Sequence, residues 1–370
     1  MQVTTGTIND IFDEDPDLVL AFATRETLTS KDFVPSLNQR FPDAIIAGCS
    51  TAGQFQHDDI LDNEALISAL KFEHSFVRSA KVPLADPMLS GAAGRDLGVQ
   101  LKAEDLVAVL VLSDGTHCNG SALVDGLATE LSKDVTIFGG LAADQDKFEE
   151  TVVLADGRVD TRTVVAIGFY GERLEVSTGS EGGWEIFGPE RTITHSAANI
   201  LHELDGEPAL ELYSRYLGDR ANELPGSALL FPLAIKAPGA DANSSLVRTI
   251  LGVNFDNSSM TFAGNIPQGW TAQLMRASFD ALIDGAEKAG TNLQTDKVAS
   301  GSGLCLAVSC VGRRLVLGQR ADEEVEAVSD LLDPVFKLIG FYSYGELAPG
   351  LSGRCELHNQ TMTLTSISEV

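Results

Sequence analysis

The stretch LVAVLVLSDG at 106–115, followed by GSALVDGLATELS at 120–132 and VTIFGGLAAD at 135–144, decides how this chain reads. Its first part is an unbroken apolar run of strand length, the pattern of a strand covered on both faces. The second part is compatible with a helix. The third is a short apolar run that breaks at the paired glycines Gly139 and Gly140. A further strand, VVAIGFYG at 164–171, completes a β-α-β-β unit. Two glycines side by side imply positive φ or a close approach by backbone or ligand.

The same order recurs on either side. Near the N-terminus it runs LVLAFATRE from Leu18, a helix-compatible stretch at 31–40, AIIAGCSTAG at 44–53 and ALISALKF at 65–72. Near the C-terminus it runs LCLAVSCVGR from Leu304, DEEVEAVSDLLDPVFKLI at 322–339, KLIGFYSYGE at 337–346 and TMTLTSIS at 361–368. First strand and turn glycine are similarly spaced in all three: Leu18 to Gly48, Leu106 to Gly139, Leu304 to Gly340. Loop-length drift in a duplicated module gives such spacings, although any alternating α/β chain looks somewhat repetitive. A weaker fourth copy spans 228–235 and 247–255. The class is α/β with α+β mixed sheets, built from repeated β-α-β-β-like modules. The glycine-rich stretch STGSEGGWEIFGPE at 177–190 and the helical-looking ANILHELDGEPALELYSRYLG suggest a seam. It gives an N-terminal domain at 1–175, a linker and helical joint at 176–225, and a C-terminal domain at 226–370.

The chain has 370 residues, 26 of them basic and 53 acidic, for a net charge of −27. That field repels phosphate backbones and anionic lipid, which argues against nucleic acid and membrane surfaces as partners. Apolar runs are strand-length, and the N-terminus lacks a basic segment followed by an apolar one; both fit a cytoplasmic protein. The five cysteines are odd in number and form no C-x-x-C pair, as expected of reduced thiols.

Four constellations are candidates for chemistry. GCSTAG (48–53) presents Cys49, Ser50, Thr51 and Gly53 on a strand-to-turn corner with exposed backbone N–H groups. It is neither a G-x-S-x-G elbow nor a P-loop. FGGLAAD (138–144) adds Asp144 to Gly139 and Gly140, and GFYSYGE (340–346) adds Tyr342, Tyr344 and Glu346. If the modules are related, these turns share one edge and line a small-molecule cleft. No H-E-x-x-H, H-x-H or paired C-x-x-C occurs, so a zinc site is not expected. His195 and His202 could share a helix face, and GNIPQGWTAQLMRAS (264–278) reads as a turn and helix carrying Arg276, a cation that could meet a carboxylate. His358, between a glycine-containing turn and the last strand, is either a structural cap or a sole axial metal ligand.

Together, AIIAGCSTAGQF, IFGGLAADQDKF, NILHELDGEPALELYSRYLG and IGFYSYGELAP…CELHNQTMTL resemble the FIST family of sensory proteins, with its paired N- and C-terminal halves. The resemblance implies a non-enzymatic input module that binds a small ligand, amino acids among them. It would regulate a partner histidine kinase or cyclic-di-GMP enzyme. One branch of the family senses nitric oxide through haem, and similarity to it makes haem the candidate cofactor and His358 its candidate ligand. A homo-oligomer is compatible with this reading. The competing reading is a hydrolase or acyltransferase with Cys49 or Ser50 as nucleophile, which needs a histidine base and oxyanion donors.

Overall fold

A computed structural model describes residues 1–8, 15–240, 245–293, 302–350 and 353–370. The first module comprises β1 (Gln2–Gly6), β2 (Leu18–Ala23), α1 (Arg25–Leu28), α2 (Phe33–Arg40), β3 (Ile45–Ser50), β4 (Gln54–Gln56), β5 (Asp59–Leu61) and β6 (Leu66–Lys71). The second comprises β7 (Phe76–Pro83), α3 (Ser90–Leu101), β8 (Leu106–Ser113), α4 (Gly120–Glu130), β9 (Thr136–Leu141), β10 (Val153–Ala155), β11 (Arg158–Asp160) and β12 (Thr163–Tyr170). The apolar run at 106–112 is β8, buried along almost its whole length as its pattern predicts. Asn119 caps α4 by accepting the Ala122 N–H at 3.1 Å.

The third module starts with β13 (Leu174–Glu181) and is then interrupted. The interruption is a lobe of β14 (Trp184–Ile186), β15 (Arg191–Ala197), β16 (Ile200–Leu204), β17 (Glu207–Pro208), α5 (Ala209–Leu217), β18 (Leu233–Lys236), β19 (Leu246–Arg248), β20 (Ile250–Asn254), β21 (Ser259–Phe262) and β22 (Thr271–Ala277). The module resumes with α6 (Phe279–Asn292), β23 (Gly303–Cys310), α7 (Val311–Leu317), α8 (Ala321–Ser329), β24 (Phe336–Ser343), β25 (Gly345–Pro349), β26 (Cys355–His358) and β27 (Met362–Glu369).

Each module builds a six-stranded sheet with the same order: β1-β6-β2-β3-β10-β11, β7-β12-β8-β9-β25-β26 and β13-β27-β23-β24-β4-β5. The inner pairs β2–β3, β8–β9 and β23–β24 are parallel, and the returning strands β6, β12 and β27 run antiparallel to them. Threefold repetition is therefore real, and the fold is α/β with mixed sheets as the sequence indicates. One feature has no trace in the pattern. Each module gives the hairpin after its turn to another module: β4–β5 to the third sheet, β10–β11 to the first, β25–β26 to the second. The exchange closes a cycle, so no module can leave without breaking two sheets.

The lobe forms a separate nine-stranded sheet over its own core, including Ile193, Leu201, Tyr213, Ile250 and Phe262. It changes several sequence readings. Residues 176–225, expected as a linker and helical joint, instead hold the end of β13, four strands of the lobe and α5. Only Ala209–Leu217 of the helical-looking segment is α-helix, and β16 replaces the helix expected around His202. His195 and His202 stack across a β-hairpin, ring centroids 4.6 Å apart. Residues 271–277, expected as a helix, are β22. The supposed fourth module at 228–255 belongs to the lobe. Around His202 and at 271–277, burying one face of the lobe's sheet outweighed local helical propensity.

Candidate functional site

The three glycine-rich turns do meet. Ala52 N–H donates to Tyr342 O (2.9 Å) and Tyr342 N–H to Gly53 O (2.8 Å), joining the first turn to the third module. Ala143 N–H donates to Ser50 O (2.9 Å), and Tyr344 N–H to Leu141 O (3.3 Å). The place where they meet is closed rather than a cleft. Ser50, Tyr342, Tyr344 and Glu346 are fully buried, as nearly are Thr51 and Asp144.

Most polar atoms there are occupied by the protein itself, the exception being the Tyr342 hydroxyl, which is buried without a hydrogen-bond partner among the described residues. Ser50 Oγ accepts the Val152 N–H (3.1 Å), and Thr51 Oγ1 donates to Gln54 Oε1 (2.8 Å). Asp144 takes the Tyr344 hydroxyl and the N–H groups of Phe148, Glu149 and Glu150, which organises the loop after β9. Glu346 accepts from the Ser343 hydroxyl (2.8 Å) and from Thr361 N–H and Oγ1 (3.2 and 2.9 Å). Burial pushes Glu346 up to about 8, against the pull of those hydrogen bonds. Gly139 and Gly140 lie in β9, where Gly139 has φ 133° and a Cβ would collide with Val111 O of the parallel β8. Their role is close strand approach.

Cys49 is fully buried in β3, and burial pushes its thiol well above the usual range. A nucleophilic cysteine needs the opposite shift. Arg276 is the exposed residue of β22, with its guanidinium 5.8 Å from the Phe187 ring. His358 ends β26, and its Nε2 donates across the hairpin to Ala348 O (3.1 Å). Burial lowers it to about 4, so the ring is neutral and Nε2 carries the proton. An axial bond to iron through Nε2 would displace that hydrogen bond. Among the described residues no cluster of three metal-ligating side chains occurs. The arrangement around His358 fits a strand cap.

A concave site lies elsewhere, between the lobe and the second module. It is a cleft of about 260 Å³. Ser121, Val124 and Asp125 of α4 form one wall, with Cys355, Glu356 and Leu357 of β26. Ile235, Leu246, Arg248, Asn265, Pro267 and Trp270 of the lobe form the other. Arg248 is 4% exposed. It donates from Nε to Asn265 O (3.2 Å) and from Nη1 to Val247 O (3.0 Å) and, across the cleft, to Leu357 O (3.1 Å). Among the described residues no hydrogen bond is made by Nη2. Burial brings Arg248 down to about 10, with Glu356 and Asp125 holding it up, so it stays cationic at neutral pH. Desolvation raises Asp125, and the Arg248 charge opposes that.

The cleft thus brings one buried cation, two carboxylates and an aromatic ring together with apolar side chains. The chain belongs to the FIST family: residues 17–207 match the FIST N domain and residues 209–349 the FIST C domain. FIST domains are sensory domains of signal transduction. The boundary between the two matches falls inside the lobe, while the chain enters and leaves the lobe at 182–183 and 278. The chain is also similar to the uncharacterized protein MJ1623 of Methanocaldococcus jannaschii, 26% identical over 198 residues, which is 50% of this chain and 37% of that protein. No described helix is long and apolar enough to cross a membrane.

Arg248 was missed at the level of sequence, where Arg276 drew attention as the unusual cation. The signal was present in SLVRTILGV: an arginine flanked by apolar strand residues must be buried with partners or lost to the strand.

Proposed function

We propose that this protein is a non-enzymatic sensor that binds a small organic molecule in the Arg248 cleft and passes occupancy to a partner signalling protein. The partner class is the one implied by the family resemblance, a histidine kinase or a cyclic-di-GMP enzyme, in a cytoplasmic setting. The carrying observation is Arg248 itself, a buried guanidinium at the junction of two bodies with a nitrogen left over from its backbone bonds. An anionic head, most simply a carboxylate, satisfies it bidentately or singly. Asp125 suits an ammonium on the same molecule, and Trp270, Pro267 and Leu246 suit an apolar remainder. An amino acid has all three parts, and the cleft's volume matches one better than it does a haem, given that drug-sized ligands occupy roughly 300–1,000 Å³.

Calorimetric titration of the twenty amino acids, with the corresponding amines and carboxylates as controls, tests this directly. Binding weakened ten- to a hundredfold in Arg248→Met is the expected result. Binding unaffected by that change, or a Soret band on haem reconstitution that is lost in His358→Ala, overturns the reading.

A further inference from the structure

The end of β26 and the turn into β27 read Leu357-His358-Asn359-Gln360, and Leu357, Asn359 and Gln360 are almost wholly buried. These three reach into the lobe, and all three meet the consecutive residues Arg248 and Thr249. Leu357 O accepts from Arg248 Nη1 (3.1 Å), and Asn359 Oδ1 accepts the Thr249 N–H (3.1 Å). Gln360 Nε2 donates to Thr249 Oγ1 (3.1 Å) and to Leu229 O (3.0 Å). The carbonyl of Thr249 accepts the Ala263 N–H (3.1 Å), so every polar group of this fully buried residue is held.

The Gln360 amide has one workable orientation. Leu229 O can only accept, so the nitrogen must face it, and Oε1 is left buried without a hydrogen-bond partner among the described residues. Gln360 also holds φ at 64°, a value that residues other than glycine seldom adopt. An unsatisfied oxygen and a strained backbone both cost stability, and such costs persist where a position serves something besides packing.

Thr249 is the single residue between β19 and β20. Those strands lie at opposite ends of the lobe's strand order, so the sheet curls until its edges meet there. Its neighbour Arg248 bonds to backbone carbonyls alone: Val247 O and Asn265 O in the lobe, Leu357 O in β26. A slide of β19 against β26 would break the last of these. Apolar packing resists the slide as well, since Leu229 and Ala263 are buried in one cluster with Tyr344 and Leu357. At Gly264 the approach is so close that a Cβ would collide with Leu357 Cδ2 and Ser121 Oγ. The Arg248 cleft is thus a preformed pocket between firmly joined walls.

We propose that Thr249, Asn359 and Gln360 are positioning residues for Arg248, setting β19 against β26 so that the guanidinium is fixed in the cleft before any ligand arrives. This rests on the reading of that cleft as the ligand site. A cation fixed in advance loses little freedom on meeting an anionic head, and affinity is kept that ordering would otherwise consume.

Solvent exchange of the Arg248 Nε–H reads the position of the guanidinium directly. It is followed by proton–nitrogen NMR on the full chain without ligand, the signal being assigned by its absence in Arg248→Met. Thr249→Val removes the hydroxyl at constant shape, and Gln360→Met removes the amide; either suffices if the other fails to fold. Each should accelerate the exchange about tenfold, whereas Thr249→Ser, which keeps the hydroxyl, should stay within about twofold of wild type. Leu37→Ala in α2, at a fully buried site of the first module, is the control for stability lost elsewhere and should leave the Arg248 signal unchanged. Equal acceleration by Leu37→Ala, or none in Thr249→Val and Gln360→Met, overturns the proposal. Calorimetry with the amino-acid panel tests the consequence. An amino acid bound by wild type should bind about tenfold more weakly to Thr249→Val and undiminished to Thr249→Ser, and equal binding by Thr249→Val overturns the proposal. If wild type binds none of the panel, the ligand reading of the cleft fails, and the exchange measurement decides the positioning role by itself.

Discussion

Glu346→Gln should reverse sign between acid and alkaline conditions. In the folded protein the Glu346 carboxyl lies at about 8, raised by complete burial from an ordinary value of 4.5. Below pH 4.5 the folded and unfolded chains both hold the proton and the group has no effect on stability. Between 4.5 and 8 the unfolded chain ionises freely and the folded one does not, so stability falls as pH rises, and the loss is complete above 8. At about 1.4 kcal/mol per pH unit, the upper bound is about 5 kcal/mol. Glutamine removes this dependence. Its carbonyl can keep the Thr361 bonds, while its amide faces Ser343 Oγ, which must then accept where it donates to Glu346 in the wild type, at a cost of about 1 kcal/mol. Urea unfolding of both proteins at pH 5 and pH 9 reads the difference. The variant should be equal to wild type or slightly weaker at pH 5, and clearly more stable at pH 9. Parallel stability curves across that range would show that Glu346 ionises without penalty, and the account of a dry, closed turn junction would fail.

Three further outcomes follow. Arg248→Met should weaken binding of whichever amino acid the wild type takes by ten- to a hundredfold, the loss of about 1.5–3 kcal/mol expected for a charge-assisted bond, measured by calorimetry. Gly139→Ala should cost more than about 3 kcal/mol in thermal or urea unfolding, since it combines φ 133° with a collision against Val111 O, while Gly252→Ala on open β20 should be nearly neutral. All five cysteines are buried, and burial raises each thiol, so an aromatic disulfide reagent should modify none of them quickly in the native protein and all five after unfolding. Rapid native labelling of Cys49 would revive the nucleophile reading.

What was legible in the sequence is what short-range pattern controls. The doubly covered strands β2, β8 and β23, the turns after β3, β9 and β24, and the returning strands all stand where apolar runs and paired glycines put them, because burial on both faces demands continuous apolar residues. The meeting of the three turns was legible as well, through their likeness. Their burial was not. Whether Ser50, Asp144 or Tyr344 faces a ligand or the backbone of another module depends on the exchange of hairpins between sheets, a long-range pairing that leaves no periodicity.

The lobe was illegible for the same reason. His202 and Leu274 lie in segments whose local propensity tolerates a helix, and only the partner strands available after folding made them β. The candidate site shows the division most plainly. Sequence alone determined that this is a threefold-repeated α/β chain of the FIST family, acidic and without a recognisable catalytic motif. Tertiary structure alone decided that Arg248 and Asp125, far apart in the chain, face one cleft, because that cleft exists only where an inserted lobe closes on the module that precedes it.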